Sequence, residues 1–99
     1  MANMFNVRVE LLNGATAKDY DDLHVRMRAA GFNTVIVAND RSIWHLPPAE
    51  YVHVSDGNAR GVRDRIAIIV KGGLRFGLAY RTYVVQVVDW ASENLVAAR

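Results

Sequence analysis

The chain contains no cysteine, which excludes disulfides, thiolate zinc sites and cysteine nucleophiles. It has only two prolines in 99 residues, and no proline-rich or low-complexity tract interrupts it. No apolar run approaches the roughly 20 residues that cross a bilayer, so no transmembrane helix and no membrane partner are expected. Met1-Ala2-Asn3-Met4 carries no basic segment and no signal-peptide core, which makes the cytoplasm the expected location. Charge of one sign is scarce as well. Twelve Lys and Arg stand against ten Asp and Glu, a net +2 that gives no strong electrostatic field.

Sequence signatures of common chemistries are also missing. There is no G-x-G-x-x-G or Walker A string, and Gly72-Gly73 and Gly77 read as punctuation at a helix end. Ser42, Ser55 and Ser92 lack a nucleophile-elbow pattern. His24, His45 and His53 match no metal-ligand spacing, so no metal and no cofactor are expected.

What is present is a fold pattern. A chain of this length supports one core and therefore one domain, residues 1–99. Phe5-Asn6-Val7-Arg8-Val9-Glu10-Leu11 alternates with period two, as a strand with one buried face does. Thr16-Ala17-Lys18-Asp19 is a variant capping box. Beyond it Tyr20, Leu23, Met27 and Ala30 share one helical face, and Gly31 stops the helix. Thr34 to Ala38 reads as a strand, Ile43-Trp44 as resumed extended structure, and Ala49 to Val54 as a strand after Pro47-Pro48. A helix is predicted from Ala59 to Lys71 with Val62, Ile66, Ile69 and Val70 inward, then a strand from Tyr80 to Trp90. The tail from Ala91 to Arg99 reads as a short helix, a frayed end or an edge extension.

This β-α-β-β-α-β order predicts an α+β, ferredoxin-like sandwich: a four-stranded antiparallel sheet, strand order 4-1-3-2, with two helices on one face. The other face is then open. With Phe5, Val7, Val9 and Leu11 under the helices, Asn6, Arg8 and Glu10 point to the open side. Taking Val52 and Val54 as inward sends Tyr51 and His53 outward beside them. Arg8 and His53 would then be cross-strand neighbours, about 5 Å apart at Cβ, near enough to act on one phosphate. His53 is the candidate acid or base, Arg8 the charge stabiliser and Tyr51 a base-stacking surface. Arg60 and Arg63 on the second helix add candidate RNA contacts, with Asp64 one turn from Arg60 as an expected partner. An open face containing Tyr51 beside Val84 or Val88 also predicts a homodimer, through that face or an edge strand.

The element order is shared with the RNA-recognition motif, but Ala49-Glu50-Tyr51-Val52-His53-Val54 lacks that family's aromatic string. A different resemblance is carried by Phe5-x-Val7-Arg8-Val9-Glu10-Leu11, by Asp19-Tyr20-x-x-Leu23-His24-x-x-Met27-x-x-x-Gly31-Phe32, and by Trp44-x-Leu46-Pro47-x-Ala49-Glu50-Tyr51. Over roughly its first half the chain resembles small bacterial proteins grouped with the endoribonuclease antitoxin of type V toxin–antitoxin systems (the GhoS family). The resemblance implies a ferredoxin-like fold similar to the small CRISPR-associated Cas2 nucleases, and action on RNA, the antitoxin cleaving the messenger of its membrane-lytic partner. Those nucleases carry an aspartate at the end of the first strand. Here that point reads Leu11-Leu12-Asn13, so any cleavage is expected to be metal-independent. The alternative is a non-enzymatic interaction module, such as a mobile-element inhibitor, that binds a protein partner through its open sheet face.

Overall fold

In a computed structural model of the chain, residues 2–47 and 49–98 are described. The first strand, β1 (Asn3–Leu12), buries Phe5, Val7, Val9 and Leu11 and leaves Arg8 exposed, as its alternation demands. Helix α1 (Ala17–Ala29) begins at a complete capping box. The Thr16 hydroxyl accepts from the Asp19 amide at 3.3 Å, and the Asp19 carboxylate accepts from the Thr16 amide at 2.8 Å. Gly31, at φ +88°, turns the chain out of the helix. Helix α2 (Ala59–Lys71) starts at Asn58, whose side chain accepts from the Gly61 amide at 2.8 Å.

Between the helices lie β2 (Val35–Val37), β3 (Ile43–His45) and β4 (Glu50–Ser55), and β5 (Ala79–Val87) closes the order. The result is a mixed α+β globule with a three-stranded antiparallel sheet, order β4-β1-β5, and a separate two-stranded sheet, β2-β3. Where four strands in one sheet were expected, β2 meets β4 at a single bridge. Asn33 and Val52 exchange both backbone hydrogen bonds at 2.8 Å. Instead β2 turns back on β3, and the tail joins that hairpin. The His45 amide donates to Val96 O and the Ala98 amide to Ile43 O, each at 2.9 Å. Residues 91–98 contain no helix.

One buried cluster unites Leu23 and Met27 of α1, Val62, Ile66 and Val70 of α2, and the inward row of β1, so both helices cover the same face of the sheet. Ile69 is half-buried against it. β5 ends at Val87 rather than Trp90, because the chain from Asp89 to Leu95 swings across the other face and lines a cavity there with Asn6, Val52 and Val85.

The register of β4 corrects the sequence reading of that strand. Phe5 pairs with His53 and Val7 with Tyr51. Directly paired residues share a face, so Tyr51 and His53 point toward the helices and Val52 and Val54 point away. Tyr51 is fully buried and His53 is 5% exposed, whereas Val54 is 54% exposed. The physical reason is the space under the end of α1, which the two rings fill, although His53 Nε2 is buried there without a hydrogen-bond partner among the described residues. His53 stacks on Phe32, with centroids 4.0 Å apart and planes 11° from parallel, and its Nδ1 lies 2.9 Å from Gly31 O.

Candidate functional site

This register separates the residues singled out from the sequence. Arg8 remains on the open face, where it sits opposite Tyr83 of β5 and beside Arg81 around a shallow depression. Arg81 itself is ion-paired with Glu10. His53 and Tyr51 lie on the other side of the sheet, so the expected pairing of Arg8 with His53 on one phosphate is not formed. Arg60 and Arg63 are exposed on α2, which also belongs to the helical side. Arg63 pairs with its neighbour Asp64 at 3.0 Å, in place of the expected Arg60 partner. Exposed pairs of this kind contribute at most about 1 kcal/mol. Arg8, His53, Tyr51, Arg60 and Arg63 therefore do not converge.

What the fold does bring together is a different set. A depression of about 200 Å3 between α1 and the segment from β3 to β4 is lined by His24, Arg28, His45 and Glu50, with Thr34, Leu46, Pro47 and Ala49. His24 and Arg28 stand four residues apart on one flank of α1, so their side chains are stacked one turn above the other. His45 comes from β3, at the point where the tail pins that strand. Glu50 opens β4. Ala49, just before it, adopts φ +67°, a left-handed conformation that costs a non-glycine residue about 1–2 kcal/mol. Strain of this sort gathers at sites where the surrounding structure imposes it.

Inward-facing Tyr51, buried beneath His24, anchors one wall of this depression. Its hydroxyl lies 2.6 Å from His24 Nδ1, and the two rings are 5.5 Å apart. Burial raises the Tyr51 phenol well above its ordinary value, so it remains a neutral hydrogen-bonding group. Burial, and after it the nearby Arg28 charge, lowers His24 from its usual 6.5. A neutral His24 anchored through Nδ1 has its Nε2 edge left for the depression. Among the described residues neither Arg28 nor Glu50 makes a side-chain hydrogen bond or ion pair.

Two histidines and an unpaired arginine around one hollow can accept a proton, donate a proton and bind an oxyanion. Sequence reasoning set the histidines aside as metal ligands and took His53 as the acid or base, and the signal it passed over was weak: the His24–Arg28 spacing on a helix flank. The second histidine joins only through the fold. Among the described residues no group of three or more His, Asp and Glu side chains is placed to hold a metal ion. No family model, curated protein or solved structure matches the chain.

Proposed function

We propose that the protein acts on RNA by metal-independent phosphodiester transfer in the depression between α1 and β4. The observation that carries this reading is the convergence of His24, His45 and Arg28 with His24 fixed by Tyr51. With Nδ1–H donated to the Tyr51 oxygen, bare Nε2 of His24 takes the proton from a ribose 2′-hydroxyl. The 2′-oxygen attacks phosphorus, the bond from phosphorus to the 5′-oxygen breaks, and protonated His45 donates its proton to that leaving oxygen. Arg28 balances the charge on the non-bridging oxygens. The products are a 2′,3′-cyclic phosphate and a 5′-hydroxyl. The resemblance to endoribonuclease antitoxins supports RNA, and a toxin messenger in particular, as the substrate. In the same reading the arrangement is a ferredoxin-like fold whose fourth strand is peeled from the sheet, the Asn33–Val52 bridge marking the edge where it would lie.

The test is incubation of the purified chain with labelled single-stranded RNA, with and without EDTA. Cleavage is expected to persist in EDTA, to end in a cyclic phosphate, and to fail on a substrate with 2′-deoxyribose at the cut. Removing one proton-transfer group should cost about 10²–10⁴-fold in rate, so His24→Ala and His45→Ala should each fall by that factor while retaining a native circular-dichroism spectrum. Unchanged cleavage by both variants, or no cleavage by the wild type, overturns the reading.

A second reading, an interaction module, is favoured by β5. This nine-residue strand is an outer strand of its sheet, and long apolar edges are templates for pairing with another chain. Pairing of β5 with its copy would give a homodimer. Sedimentation at tens of micromolar is then expected to give twice the 11.1 kDa of one chain, and a mass of 11.1 kDa removes the dimer.

A further inference from the structure

A second cavity, of about 260 Å3, lies on the opposite flank of α1, between its first turns and the loop after α2. Arg26 lines it and rests directly on Gly73. A Cβ at position 73 would fall 2.5–2.6 Å from Cζ, Nε and Nη1 of the guanidinium, so any other residue there would push the flexible Arg26 side chain aside. Three cations and two carboxylates surround the space: Lys18, Arg26, Arg75, Asp19 and Asp22.

Four of these five charges are already committed. Arg75 grips Asp19 with two parallel hydrogen bonds, Nε to Oδ1 at 3.2 Å and Nη2 to Oδ2 at 3.0 Å. That contact, reinforced by Thr16, holds the Asp19 carboxyl far below the ordinary carboxylate range, and the pair stays ionised. Lys18 bridges to Asp22 at 3.0 Å. Arg26 is left over. Its Nε is buried without a hydrogen-bond partner, and its side chain makes no ion pair among the described residues. A buried donor of a charged group left unmade is costly, and arginine's planar fork matches the oxygens of phosphate.

We infer that this cavity is a phosphoryl-binding site in which Arg26, set in place by the bare backbone of Gly73, supplies the uncompensated charge. The volume admits several water-sized groups and so a tetrahedral oxyanion with little attached. A phosphoryl group seated there would accept from the terminal N–H groups of the Arg26 guanidinium, whose Nε stays against Gly73, and meet the outer N–H groups of Arg75 and the ammonium of Lys18 at its rim. The site lies on the other side of α1 from the His24 depression and does not depend on cleavage there.

The experiment is titration of inorganic phosphate into the 15N-labelled full chain at constant ionic strength, with sodium chloride and sodium acetate as parallel arms. Phosphate is expected to shift the Arg26 Nε–H and Gly73 amide signals saturably and to raise the melting temperature, as a ligand selective for the native state does. Arg26→Gln should weaken binding by about tenfold or more, as loss of a charge-assisted pair does, while Arg8→Gln should leave it unchanged. Arg26→Lys, which keeps the charge but not the fork, should fall between. Shifts that do not saturate, equal saturation by acetate, or full binding in Arg26→Gln overturns the assignment.

Discussion

At the scale of single residues, the molecule is decided by a few side chains whose polar tips reach across the core boundary. Tyr51 and His53 are the clearest. Their strand reads Tyr51-Val52-His53-Val54, and both of its phases are apolar enough to be buried. Hydropathy alone favours the valines inward. The rings win because each places its body among Phe5, Val7 and Phe32 and one heteroatom on a partner, the Tyr51 hydroxyl on His24 and His53 Nδ1 on Gly31 O. A hydrogen bond satisfied across 22 or 27 residues leaves no trace in local periodicity. The β1 row left such a trace because Phe5, Val7, Val9 and Leu11 alternate with Asn6, Arg8 and Glu10 in one phase only. Leu23, fully buried between α1 and the sheet, tests this scale directly. Leu23→Ala is expected to cost about 2–5 kcal/mol in urea unfolding, and a loss below about 1 kcal/mol would place it outside the core.

At the scale of elements, the two helices and the two long strands were legible and the middle of the chain was not. Helix ends carry their own chemistry: Thr16 with Asp19, Asn58, and Gly31 each mark a boundary by a contact within three residues or by a left-handed backbone. The segment from 34 to 46 has no such local rule. Its strands are three residues each, and whether they extend the main sheet or fold on themselves depends on the tail, some fifty residues later. The His24–His45 depression shares this origin, since His45 is fixed by a hydrogen bond to Val96. This small sheet meets the main one through the Asn33–Val52 bridge rather than a ladder. Amides of β2, β3 and the tail are therefore expected to exchange with solvent well before those of β1, which is paired on both sides. Equal protection of the two sheets in hydrogen-exchange measurements would show them to be one cooperative unit.

At the scale of the whole molecule, stability responds to pH through His24. Its folded-state pKa is depressed below 6.5, first by burial and then by Arg28, so the unfolded chain binds the proton more readily. The contribution is fully present above the unfolded value and is lost as pH falls through the folded one. The melting temperature is expected to drop between about pH 7 and about pH 5, and His24→Gln should flatten that slope. An identical slope in the variant would assign the acid sensitivity elsewhere. The architecture has a further consequence for how the chain is made. β1, the first of the five strands in chain order, is bordered on one side by β5, the fifth. During synthesis one whole edge of the central strand must wait, with Val7 and Val9 lacking their final neighbours, until β5 has emerged. Until then the nascent chain carries an unfinished, adhesive edge, a hazard written into the order of its strands.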